Sequence, residues 1–206
     1  MSNYNKIAKF YDYFQFYCDW MHKNSIYFLR NLIRNDYKIL DVACGTGNFL
    51  NRLQRKNKTL ELFGIDESSK IIECARKKST DIKFVVGQAE KLPFNDNTFD
   101  LITITGSFYC FKNKEDVLSE CYRVLKDKGY LFVLTLAFDN FFQRLQMNAC
   151  LASTKMTLFN VDDGAKYISL NDLENLAEKH NLYLIKTNLK RYLAFGNRFV
   201  AFKKTA

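Results

Sequence analysis

The chain of 206 residues contains one proline, one tryptophan and two histidines. Two histidines, His22 and His180, are too few for a histidine-rich metal site. The six cysteines, at 18, 44, 74, 110, 121 and 150, never fall as Cys-x-x-Cys. That spacing excludes a disulfide framework and a zinc site, and predicts reduced, buried thiols. No apolar run is long enough to span a bilayer. No continuous apolar core follows Met1–Lys6, so no signal peptide is expected and the expected location is cytoplasmic. Repeats and disordered linkers are also lacking. Acidic residues are missing from one stretch: from Lys179 to the end there are seven Lys/Arg and no Asp/Glu, in a chain of net charge +9. Such a tail suits nucleic acid or peripheral contact with an anionic membrane. Its strand-like alternation favours a different reading, a sheet-edge hairpin whose lysines discourage strand addition.

What is present has the balance of a soluble globular chain, with 48% hydrophobic and 26% charged residues, and a length that suits one domain. Residues 1–36 are crowded with aromatics, including Tyr4, Phe10, Tyr11, Phe14, Trp20 and Phe28, and predict two helices near 4–17 and 21–34. They are expected to pack on the sheet and to form part of a lid. Strands and helices then alternate through 37–136. Strands are expected at 38–42, 60–66, 82–86, 99–105 and 130–136, with helices at 48–55, 68–77 and 114–125. Residues 137–168 interrupt the rhythm with an apolar insertion, expected as a second lid. A helix from Ser169 to about His180 and two antiparallel strands, 183–189 and 198–203, close the chain through 169–206. The expected fold is α/β: a doubly wound, Rossmann-like, seven-stranded, mostly parallel sheet, helices on both faces, with a C-terminal antiparallel hairpin. Ligands of such sheets sit beyond the carboxyl ends of the strands, which points to residues 43–47, 66–67, 87–90 and 105–109.

The first of these turns is Asp41-Val42-Ala43-Cys44-Gly45-Thr46-Gly47. Gly-x-Gly after a strand is a weak signal alone. Asp66, closing the second strand, adds a carboxylate able to accept from both ribose hydroxyls of an adenosine. That fits NAD and S-adenosylmethionine equally. Three features favour the second. Leu50 stands where a dinucleotide site wants a third glycine. Asp41 would repel a pyrophosphate and suits an ammonium and a sulfonium. Gln88 and its neighbours after the third strand can meet an adenine edge.

From about Lys38 to Leu136 the chain resembles the class I S-adenosylmethionine-dependent methyltransferases, above all the ubiquinone/menaquinone-biosynthesis type. The resemblance rests on Leu40–Gly47, Gly64-Ile65-Asp66, Gly87–Phe94, Asn97–Ile102 and Glu120–Lys126 with Gly129-Tyr130-Leu131. Ala8–Asp12 resembles a segment whose tyrosine, here Tyr11, lies near the cofactor. The resemblance implies that Asp41, Gly45, Gly47 and the backbone of Ala43 and Cys44 face the methionine part. It implies that Asp66 holds the ribose with Glu67 beside the adenine, that Gln88 and Ala89 meet the adenine edge, and that Thr105 touches the methionine or ribose region. The chain departs from relatives that carry Asp at Gln88 and His-His at Tyr109-Cys110.

Methyl transfer needs a general base only for a poorly acidic nucleophile. The one candidate is Tyr109, better read as an aromatic pocket wall. Nothing marks Cys44 or Cys110 as an activated thiol. Two apolar lids favour a small aromatic or hydrophobic acceptor. The rival readings are a nucleic-acid methyltransferase using the basic tail, for which no RNA-binding motif is found, and a non-catalytic partner subunit of the same fold.

Overall fold

The structure is a computed structural model, and it describes residues 15–137, 168–192 and 195–205. Tyr11, and nearly all of the 137–168 insertion expected as a lid, lie outside the described residues. The strands are β1 (Lys38–Val42), β2 (Glu61–Asp66), β3 (Lys83–Val86), β4 (Phe99–Thr105), β5 (Leu125–Ala137), β6 (Leu182–Tyr192) and β7 (Phe195–Lys204). They form one seven-stranded sheet in the order β3-β2-β1-β4-β5-β7-β6. β3 through β5 pair in parallel, while β7 runs antiparallel to both β5 and β6. This is the expected fold class. Strand order reverses beside β1, so the carboxyl ends of β1 and β4 flank the crevice where such sheets bind ligands.

The helices are α1 (Gln15–Leu29), α2 (Asn48–Lys56), α3 (Ser69–Lys78), α4 (Lys114–Val124) and α5 (Leu170–Lys179). Two apolar layers cover the sheet. One gathers α1, α2 and α3 residues such as Phe28, Phe49 and Ile72 against Ile39, Phe132 and Phe199. The other sets Val117, Leu118 and Leu173 of α4 and α5 against Leu40, Ile102, Val133 and Val200. β4 is buried on both faces, as its continuous apolar run predicts.

Several boundaries differ from expectation. The break expected between two N-terminal helices, at 18–20, lies inside α1, which ends at Leu29 and not at 34. No Gly or Pro at 18–20 interrupts the helix, and within it the Ser25 hydroxyl donates to Met21 O and the Asn24 amide to Trp20 O. The turn expected at 127–129 is taken into β5 as an irregularity, where Phe99 pairs with Leu125 but Leu101 pairs with Tyr130. Lys128, not Gly129, adopts the positive φ there, at 64°. Gly196, expected in a hairpin loop, belongs to β7 and pairs with Ala137 of β5. Of the thiols, Cys44 and Cys121 are buried as expected, whereas Cys18, Cys74 and Cys110 are only half-buried.

Candidate functional site

Asp41 sits on β1, one residue before its end, with its side chain fully buried. Its Oδ1 accepts from the Thr103 hydroxyl at 2.6 Å and from the Thr105 hydroxyl at 3.5 Å, both on the neighbouring β4. Its Oδ2 is buried and has no partner among the described residues. Burial pushes the Asp41 carboxyl up to about 7, although the two threonine hydroxyls pull the other way. A lone oxygen of this kind awaits a donor, and a cation is the donor that best stabilises an ionised buried carboxylate.

The glycine turn follows. Ala43, Gly45 and Gly47 all take positive φ, at 55°, 55° and 74°. The two glycines do different work. A Cβ on Gly47 would lie 2.6 Å from Phe84 Cζ, so this glycine permits close packing. A Cβ on Gly45 would meet nothing within 4 Å, so this one borders open space. Gly47 also leads into α2, whose N-terminus has no side-chain cap. Ser68, Asn113 and Ser169 do cap α3, α4 and α5. The first amides of α2 and its positive dipole end thus remain available to an anionic group beside the turn.

Asp66 ties this turn to the next. Its Oδ2 accepts from the Gly45 amide and its Oδ1 from the Ser68 amide, each at 3.0 Å. Burial raises its pKa, against those two amides. The carboxylate therefore already holds two backbone donors, and each oxygen keeps one lone pair for ribose hydroxyls. The Gly87 amide donates to Asp66 O at 3.0 Å, which brings the Gln88 turn alongside. In that turn Gln88 is exposed and Ala89 buried, and Glu67 is exposed just after β2. Cys44 is buried, and its backbone amide donates to Ile65 O at 2.9 Å. Burial, with Asp41 and Asp66 nearby, pushes its thiol well up, which keeps it neutral. Tyr109 lies half-buried in a 3₁₀ turn, Phe108–Cys110, after β4.

The described contacts thus join Asp41, Cys44, Gly45, Asp66 and Thr105, with Gly87 bringing in Gln88 and Ala89. Sequence reasoning missed Thr103, which holds Asp41 more tightly than Thr105 does. Its signal was there: Thr103 and Thr105 are hydroxyls at period two within the apolar run of β4, so they share the face toward β1. It also missed Ser107, whose buried hydroxyl has no partner among the described residues. Nothing in the sequence distinguishes it from an ordinary turn serine. No group of three or more His, Cys, Asp or Glu that could hold a metal occurs among the described residues.

Comparison with known proteins bears on the same residues. Residues 40–133 match the model of a methyltransferase domain. The chain is 48% identical over 106 residues to a demethylmenaquinone methyltransferase of Thermotoga maritima, covering 52% of this chain and 46% of that one. It is 29% identical over 182 residues to a malonyl-[acyl-carrier protein] O-methyltransferase of Priestia megaterium, covering 86% and 66%. The chain thus spans about half to two thirds of the length of these curated relatives. A solved S-adenosylmethionine-dependent methyltransferase of Thermotoga maritima superposes with a TM-score of 0.75 at 21% identity, over 98% of both chains.

Proposed function

We propose that this chain is a class I S-adenosylmethionine-dependent methyltransferase and that it transfers a methyl group to a small aromatic or hydrophobic acceptor by direct in-line displacement; the matched methyltransferase domain and the sequence relatives support the reading. The observation that carries this reading is Asp41: a fully buried carboxylate with one oxygen that has no partner among the described residues, followed in the turn after it by a glycine that borders open space. Those features fit a ligand with an ammonium group and a bulky body, and they suit a pyrophosphate poorly.

When bound, S-adenosylmethionine supplies a methyl group already activated by its sulfonium. The chain's part is to bind, orient and exclude water. Asp41 Oδ2 accepts from the ammonium, and the uncapped end of α2 receives the carboxylate. Gly45, with the backbone of Ala43 and Cys44, leaves room for the methionine tail, Gly47 packs the turn against Phe84, and Thr105 lines the tail from β4. Asp66 accepts from the ribose hydroxyls with its remaining lone pairs. Gln88 and Ala89 meet the adenine edge, with Glu67 beside it. Orientation of this kind can supply ~7–11 kcal/mol of the barrier. Tyr109 and the unpartnered Ser107 hydroxyl follow β4 on the acceptor side, where Tyr109 serves as an aromatic wall. The aromatic residues of the N-terminal segment and the apolar 137–168 segment favour such an acceptor in composition. The name of the Thermotoga relative agrees with an aromatic one.

Two measurements test this. Calorimetry should show S-adenosylhomocysteine binding that Asp66→Ala abolishes, and no heat at high ligand concentration would remove the cofactor from the proposal. With labelled methyl donor and a cell extract, label should enter the small-molecule fraction. Label confined to RNA would replace the acceptor class with nucleic acid.

A further inference from the structure

The net charge of +9 is not spread over the molecule. Residues 20–35, mostly α1 and the turn after it, carry Lys23, Arg30 and Arg34 and no Asp/Glu, and residues 179–206 carry seven Lys/Arg and no Asp/Glu. The rest of the chain holds 21 Lys/Arg against 22 Asp/Glu, so these two segments account for the entire excess. They meet at one end of the sheet. β6 is the edge strand, and Lys186 Nζ donates to Phe28 O of α1 at 2.9 Å while Lys190 Nζ donates to the Asn24 side chain at 2.7 Å. At least two of the ten cations are engaged elsewhere. Lys204 is buried among the Asn97, Tyr122 and Leu125 oxygens, and Lys179 pairs with Glu115.

The same edge collects apolar exposure. Among the described residues, five large hydrophobic side chains are exposed, and four of them lie here: Tyr27 at 59%, Tyr183 and Ile185 at 43% each, and Leu189 at 37%. The Arg30 guanidinium sits 3.7 Å from the Tyr27 ring centroid and Lys190 Nζ at 5.4 Å. Both cations therefore stand beside an exposed aromatic ring.

We infer that this α1–β6 edge is a docking surface for anionic phospholipid bilayers. Basic side chains interleaved with exposed Tyr, Ile and Leu form the composition that settles at a headgroup boundary, charge drawing the surface in and apolar side chains entering the acyl margin. Nucleic acid is served less well. Single strands stack successive bases on open aromatic faces, whereas the exposed rings on this edge are Tyr27, stacked by Arg30, and Tyr183, and the other two exposed side chains, Ile185 and Leu189, offer no ring. Edge lysines also discourage strand pairing, but that role accounts for neither Lys23 and Arg30, which flank Tyr27 on one stripe at the end of α1, nor the four exposed apolar residues.

The test is co-sedimentation of the full chain with vesicles of phosphatidylcholine alone or of phosphatidylcholine with phosphatidylglycerol. Binding should require phosphatidylglycerol and weaken as salt shortens the Debye length. Lys23→Glu with Arg30→Glu should reduce partitioning at least tenfold, and Tyr27→Ser with Ile185→Ser severalfold at unchanged charge. Lys77→Glu with Lys112→Glu changes net charge equally on other exposed sites and should leave most binding intact. Circular dichroism melting accompanies each variant, and those at exposed positions should melt with the parent. Equal loss in the two charge-reversed pairs would reduce the effect to net charge and overturn the surface. Absence of vesicle binding alongside saturable tRNA binding, lost in Lys23→Glu/Arg30→Glu, would reassign the edge to nucleic acid.

Discussion

Asp41 places a carboxyl group whose pKa is about 7 at the centre of the site, against an ordinary value of 3.8. The group is buried and the cause is chiefly loss of water, so the shift is a statement about stability. The unfolded chain releases this proton near pH 4, and the native state keeps it until near pH 7. Between those values the native state binds more protons, so stability falls as pH rises through the window and levels off above it. The full loss is roughly 4 kcal/mol by linkage. Asp41→Asn keeps an acceptor for the Thr103 hydroxyl and removes the charge. Urea unfolding across pH 4–8 should therefore show less loss of stability with rising pH for this variant than for the parent; Asp66, whose shift has the same direction, and His22, which burial lowers to about 4 and which adds stability as pH rises, act equally in both chains. A slope identical to the parent would mean that Asp41 is ionised in the native state. A bound ammonium selects the ionised form. S-adenosylhomocysteine affinity should thus rise with pH below 7, by up to about tenfold per unit, with release of one proton. Calorimetry in two buffers of different ionisation enthalpy counts that proton. Thr103→Val would leave the Asp41 oxygen with only the long Thr105 contact, at a cost of about 1–3 kcal/mol in denaturant unfolding.

At the scale of elements, the β1–α2 turn separates a packing glycine from a ligand-facing one. Gly47→Ala combines a left-handed φ of 74° with a Cβ 2.6 Å from Phe84. The strain costs about 1–2 kcal/mol and the overpacking about 1–3 more. Gly45→Ala meets open space and carries only the strain of its φ. Thermal denaturation should rank Gly47→Ala well below Gly45→Ala, while cofactor affinity should fall sharply in Gly45→Ala despite its milder destabilisation. Phe84→Leu added to Gly47→Ala should restore part of the stability by making room, as a double-mutant cycle would reveal. The turn's existence was legible in sequence because Gly-x-Gly followed a short apolar strand. This division of labour was not, since it depends on Phe84 of β3 reaching across from 37 residues away. The same limit explains α1. Aromatic crowding gave no stop signal, and neither Gly nor Pro marks its end at Leu29. The β5 start was lost for the opposite reason: Asp127-Lys128-Gly129 is good turn chemistry, but the chain uses it to kink a strand that pairing with β4 continues through.

At the scale of the molecule, the parallel half of the sheet was readable from alternating strand and helix patterns, and so was the antiparallel end. The insertion of β7 between β5 and β6 was carried by a fainter signal. Phe199-Val200-Ala201-Phe202 is apolar on both faces and fully covered, whereas β6 interposes Lys186, Lys190 and Arg191 and stays exposed. An interior strand and an edge strand differ in that way. This arrangement sets the proposed cofactor contacts on β1 to β4 and, within the sheet's pairing, joins β7 and β6 to them only through β5. Binding should therefore tighten local openings unevenly. Hydrogen exchange with saturating S-adenosylhomocysteine should slow amides in 41–47, 66–68, 87–90 and 103–107, because their turns close on the ligand. Amides of β6 should change little under conditions where exchange proceeds by local opening, since that strand lies three positions from β4 in the sheet. Protection confined to residues 179–205 would place the ligand on the basic edge and contradict a site at the carboxyl ends of β1 to β4. Uniform protection would mean that exchange proceeds by global unfolding, and repeating it at lower pH, where exchange is slower, separates the two regimes.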